Sequence, residues 1–287
     1  MPFGGQRNQK IKNMTKLRII IGLFLLSSLT VFGQKKNGLA FDIQDFNQKA
    51  TIAEWLYLYD AIAWWTSDSV MTQSQEELQR LGSEWFCFQT EDGNWHAAYG
   101  KYENNEMNVV FHYLVDTTYK VSRTFEPIEA EFLNLHARAL ITANNQITAI
   151  RDSNQIRFNQ YIKQNEDRTF TVWIFPAFQP NGLAVHGGEF IYKIDPTGTK
   201  ILEDNSYFQG QFRAFKVDNP REVWMDYTEL EKPTLGSIFF IWYYKKYFTY
   251  IKLDNKNYVT TTIKSGDGSY SWMHIEKEQE KKKGKKK

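Results

Sequence analysis

The sequence predicts an α+β fold, with helices packed on antiparallel meander β-sheets, and three observations carry that expectation. Segments with helical periodicity stand grouped ahead of segments with strand periodicity, without one helix per strand. The strand-like segments are joined by short turn signals: Asp92-Gly93, Asn104-Asn105 and Asp195-Pro196-Thr197-Gly198. Hydrophobic residues are 42% of the 287 and aromatics 16%, which supplies a core and argues against disorder.

The chain begins with a targeting pattern. Lys10, Lys12, Lys16 and Arg18 precede the apolar run 19–26, and residues 27–33 end in small side chains before Gln34-Lys35-Lys36. That order reads as a signal peptide over 1–33, cleaved after Gly33. The apolar stretch 19–32 falls short of the ~20 residues a spanning helix needs, so no transmembrane anchor is expected after cleavage. Met14 is an alternative start. No cysteine stands near the cleavage point, which argues against a lipoprotein. The expected location is periplasmic or secreted. Cys87 is the sole cysteine, so no intramolecular disulfide can form.

After an extended entry over 37–46, residues 51–65 read as an amphipathic helix, with Ile52, Trp55, Leu56, Tyr59, Ile62 and Ala63 at helical spacing. Ser74-Gln75-Glu76-Glu77 matches a capping box, and Gly82 a stop. Strands are expected over 84–90, 95–102 and 107–115, completing a helix-plus-meander half over 34–125. A second half, 126–276, opens with Pro127 in the first turn of a helix running to about Asn144. Strands follow over 156–162 and through 168–215, where Thr171 and Trp173 alternate with Phe170 and Val172. Further strands are read at 238–242, 247–253, 258–264 and 269–275. Residues 277–287 read as a disordered basic tail.

Charge narrows the partners. The first 33 residues hold five Lys/Arg and no acid, and the last seven hold six Lys. Without them 24 basic side chains face 33 acidic ones, so the body carries about −9. An acidic body argues against nucleic-acid binding.

The chemistry-bearing residues are few. The metalloprotease, nucleophile-elbow, phosphate-loop, dinucleotide and Cys-x-x-Cys motifs are all missing. His96, His112, His136, His186 and His274 never pair at ligand spacing, so no metal or other cofactor is expected. Cys87 sits in Trp85-Phe86-Cys87-Phe88 as a buried small hydrophobe, although His96 on the next strand makes a Cys–His pair conceivable. Residues 59–68 gather Asp60, Trp64, Trp65 and Asp68 at an expected helix exit. Two acids beside aromatic platforms suit a glycosidase-like site; the plainer reading packs both tryptophans on the sheet and gives Asp68 a capping bond. His186-Gly187-Gly188-Glu189 enters a strand, where paired glycines mean a bulge or a close approach to a ligand. If these stretches meet, Asp60, Trp64, Asp68, His186 and Glu189 form one polar cleft.

Tyr59-Asp60-x-x-Ala63-Trp64 with Thr66-x-Asp68, and Gly187-Gly188-Glu189-Phe190-x-Tyr192 leading to Asp195 and Gly198, resemble patterns in uncharacterised exported proteins of Gram-negative bacteria. The resemblance implies export and an α+β domain, and no reaction. The function expected is non-enzymatic binding of a protein, peptide or glycan of the cell envelope through an aromatic-rich surface. The alternative is a hydrolase of an envelope or extracellular polymer using a carboxylate acid/base pair.

Overall fold

The structure is a computed structural model that describes residues 41–217 and 221–278. The signal-peptide segment and nearly all of the basic tail lie outside the described residues. The elements below belong to one unit beginning at Ile43.

The first helix, α1 (Ile43–Met71), is far longer than the stretch 51–65. It absorbs the last residues of the expected extended entry and runs past the expected exit. Its hydroxyl residues do not stop it, because they bond back along the helix: Thr66 Oγ1 donates to Ile62 O at 2.7 Å and Ser67 Oγ to Trp64 O at 2.9 Å. The short α2 (Gln75–Leu78) has the expected cap, with Ser74 Oγ accepting from the Glu77 amide at 3.3 Å.

The first sheet is an antiparallel meander of β1 (Glu84–Gln89), β2 (Trp95–Glu103), β3 (Glu106–Val115) and β4 (Val121–Arg123). In its register Cys87 lies opposite Ala97 and Phe88 opposite His96. Cys87 and His96 therefore point to opposite faces, and no Cys–His pair forms. Burial pushes the Cys87 thiol far up.

Helix α3 (Ala130–Gln146) starts three residues beyond Pro127, which lies outside it, and α4 (Thr148–Asn154) follows. The central sheet then forms in the order β5 (Phe158–Gln164), β6 (Phe170–Pro176), β7 (Leu183–Ile194) and β8 (Ile201–Asp204), with β9 (Tyr207–Lys216) also pairing β7. The Asp195–Gly198 turn carries its bond from the Gly198 amide to Asp195 O at 2.9 Å. One face of this sheet, with Phe170, Val172, Ile174, Phe190, Tyr192 and Ile194, packs on α3 residues such as Leu133 and Leu140. The same core takes in Phe86, Ala98 and Met107 from the first sheet, so it runs across residue 125. The other face turns Trp173 toward Trp55 of α1, with ring centroids 5.7 Å apart.

The last sheet corrects the expectation. Residues 238–242 are not a strand but part of helix α5 (Leu235–Tyr244), between β10 (Glu222–Tyr227) and β11 (Tyr250–Asn255). β10 and β11 pair in parallel, and β12 (Tyr258–Lys264) and β13 (Tyr270–Glu276) extend the sheet antiparallel. A parallel pair needs a crossover, and α5 supplies it. The helix is buried on most of its surface, so its sequence reads as a continuous apolar run with no period to separate helix from strand.

Candidate binding site

A cavity of about 770 Å³ opens over the α1-facing side of the central sheet. Strand register explains its floor. Lys163 pairs Thr171, Trp173 pairs Ile191, and Glu189 pairs Tyr207, so these six side chains share one face. Lys49, Ile52 and Trp55 of α1 form one wall, and Leu230, Lys232 and Pro233 with the start of α5 form the other. Lys163 Nζ lies 5.8 Å from the Trp55 ring centre. Lys49 bonds Asp45 at 2.8 Å and Pro233 O at 2.9 Å, tying α1 to the loop before α5.

Glu189 sits at the back of this cavity, only 5% exposed. Its Oε2 accepts the Gly236 amide at 2.5 Å, in the first turn of α5, which Thr234 caps by accepting from Ser237 N at 3.2 Å. The approach requires glycine, since a Cβ at residue 236 would collide with the Glu189 carboxyl. Burial pushes the Glu189 pKa up to about 7. Thr234, the Gly236 and Ser237 amides and the charge of Lys49 all pull it down, and desolvation wins.

The paired glycines of β7 lie opposite a bulge in β9. The register with β9 shifts between His186 and Gly188, and Gly187 has φ +117°, with Gln211 O where a Cβ would stand. The bulge has a consequence for parity. Residues 186 and 189 would face opposite ways in a regular strand; the break at Gly187, where one residue of β7 stands against four of β9, leaves both on the α5 side. His186 nevertheless stays apart from the cavity. It stacks on Phe215 at 5.5 Å and meets Phe240 edge-on at 5.3 Å. Neither ring nitrogen has a hydrogen-bond partner among the described residues, and burial pushes its pKa down to about 4. His186 packs as a neutral aromatic.

Asp60 occupies a second cavity. It is 2% exposed, and Oδ1 accepts Asn159 Nδ2 at 2.6 Å and Tyr161 OH at 2.9 Å while Oδ2 accepts Tyr243 OH at 2.7 Å. One carboxyl thus joins α1, β5 and α5. Burial raises its pKa against the pull of these three donors. Because α1 continues, Asp60, Ala63, Trp64 and Ser67 recur at i, i+3, i+4 and i+7 and line one space of about 350 Å³ with Trp85, Tyr99, Asn159, Ala177 and Phe178. Asp68, eight residues on, is rotated by about 80° from Asp60 at 3.6 residues per turn. It is exposed and outside this lining. The tryptophans do not pack away on the sheet: Trp64 is 51% and Trp65 39% exposed, the latter against Tyr119 at 5.7 Å.

The single polar cleft expected from five residues therefore does not form. Asp60 and Trp64 share one cavity, Glu189 lines another, His186 is core and Asp68 is surface. Sequence reasoning missed Lys49, Lys163 and Lys232 as cavity residues, and it took Trp55 for core. The alternation of 169–175 did mark the face that carries Thr171 and Trp173. Among the described residues no group of three or more His, Cys, Asp or Glu is placed to hold a metal ion. No helix among them is long and apolar enough to cross a membrane. Comparisons with protein-family models, curated proteins and solved structures give no match.

Proposed function

We propose that this chain is an exported, non-enzymatic binding protein that receives an apolar segment of a peptide or protein in the cavity over the central sheet. Acidic groups of that partner would sit at Lys49, Lys163 and Lys232. The observation that supports this most is the make-up of the wall: Ile52, Trp55, Trp173, Ile191, Leu230 and Leu235 present carbon, and the lysines present charge. Its size, about 770 Å³, falls in the ~300–1,000 Å³ span of ligand pockets. Export rests on the pattern in residues 1–33 and on the resemblance to exported proteins.

The hydrolase alternative needs two carboxyls facing one space. Asp60 and Glu189 line different cavities, and neither cavity lining contains a second acid. The test is a tryptophan-fluorescence titration with short apolar peptides carrying acidic, neutral or basic residues. Acidic peptides should quench Trp55 and Trp173 at the lowest concentration, and Lys163→Glu with Lys232→Glu should erase that order. Equal response to all three charge classes would refute the reading, as would polymer turnover that Glu189→Gln abolishes.

A further inference from the structure

We propose that the Asp60 cavity is a second, separate site, built for a small organic cation with a trimethylammonium-type head. The inference does not depend on what fills the larger cavity. Four aromatic rings, Trp64, Trp85, Tyr99 and Phe178, surround this space, and one carboxyl lies in its lining. Aromatic ring faces are electron-rich and attract cations, most strongly when those cations have little water to lose.

Asp60 shows which charge is missing. Its three donors are all neutral, and they fill three of the roughly four lone-pair positions a carboxylate offers. No Lys or Arg ion-pairs with it among the described residues, and none lines the cavity. A buried carboxyl so placed has its hydrogen bonds but no counter-charge, which is costly for the ionised form. Burial accordingly dominates its raised pKa.

The wall then selects among cations. A metal ion or a primary ammonium must replace its water with several oxygen ligands or acceptors. This space offers few, since Asn159 and Ser67 are the main other polar side chains in the lining. A methylated ammonium needs none, because its surface is carbon and its charge is diffuse. The size fits as well: about 350 Å³ admits a choline-sized solute but not an extended chain. Trp64 is positioned for the task, since it stands one helical turn beyond Asp60 on α1 and lines the same space. Ring and carboxyl are thereby held on one face of the helix.

Isothermal titration with choline and with its neutral carbon isostere 3,3-dimethyl-1-butanol tests this directly. Choline should bind at least about tenfold more tightly than the isostere. Trp64→Ala should weaken choline about tenfold without lowering the melting temperature, because Trp64 is half exposed, and Trp64→Phe should recover part of the loss. Asp60→Asn should abolish the preference for the charged ligand. If that variant fails to fold, the isostere comparison and the Trp64 pair decide alone. Co-sedimentation with phosphatidylcholine vesicles that free choline competes away would assign the head to lipid; choline binding without co-sedimentation would assign it to a free solute. Equal binding of choline and isostere, no binding of either, or unchanged choline affinity in Trp64→Ala would overturn the proposal.

Discussion

Replacing Glu189 by glutamine should change how stability responds to pH. The carboxyl has an ordinary pKa of 4.5 and burial raises it to about 7 in the native state. Below pH 4.5 both folded and unfolded chains hold the proton, and the side chain contributes its full share. Between 4.5 and 7 the unfolded chain releases it and the native one does not, so stability falls as pH rises. Above 7 both are ionised and the deficit levels off. At 1.36 kcal/mol per pH unit the deficit reaches about 3 kcal/mol. A glutamine amide at this position keeps an oxygen for the Gly236 N–H but has no charge to bury. Glu189→Gln should therefore match the wild type at pH 4 and gain on it up to pH 7.5. At ~2–4 °C per kcal/mol for a domain of this size, the gap in melting temperature grows to roughly 6–12 °C. Calorimetry of both proteins across pH 4–8.5 measures it, and the difference between them cancels every other titrating group. Parallel curves, or a wild type that gains on the variant as pH rises, would refute the burial argument.

Further expectations follow from single bonds. Asp60→Ala leaves Asn159 Nδ2 and the Tyr161 and Tyr243 hydroxyls without their acceptor and should cost about 3–5 kcal/mol in urea unfolding; Asp60→Asn should cost much less. Tyr59→Phe removes the hydroxyl that accepts the buried Cys87 amide at 2.7 Å, a loss of about 1–3 kcal/mol by the same assay. Gly236→Ala drives a Cβ into the Glu189 side chain and should lower stability by about 1–3 kcal/mol, an effect that Glu189→Ala in the same chain should relieve only in part, since the Cβ of residue 189 also stands 2.8 Å from the new methyl. Thr234→Ala removes the cap of α5 and should cost about 1 kcal/mol.

Local signals were legible wherever a short segment settles its own conformation. The Ser74–Glu77 cap, the Asp195–Gly198 turn, three of the four strands of the first sheet and the ladder break at Gly187 all follow from steric and hydrogen-bond rules that act within a few residues. The α+β class followed because periodicity and turn chemistry sum over many such segments. The alternation in β6 even separated the α3 face, with Val172, from the cavity face, with Trp173.

Two kinds of feature lay beyond that reach. One is the state of apolar or mixed runs. Residues 238–242 are helical because Thr234 caps them and the crossover from β10 to β11 encloses them, and a run buried on most sides has no period to show it. The length of α1 likewise depends on its burial against α5 and the sheets, which outweighs the Thr and Ser residues near 66–69. The other is juxtaposition. Asp60 with Trp64, Asn159 and Tyr243, and Glu189 with Lys49 and Gly236, meet across separations of up to 183 residues. Side-chain identity supplies the charge and the aromatic faces, but which of them share a cavity depends on how helices and sheets pack. Packing is set by the sum of many distant contacts, so no local pattern encodes it.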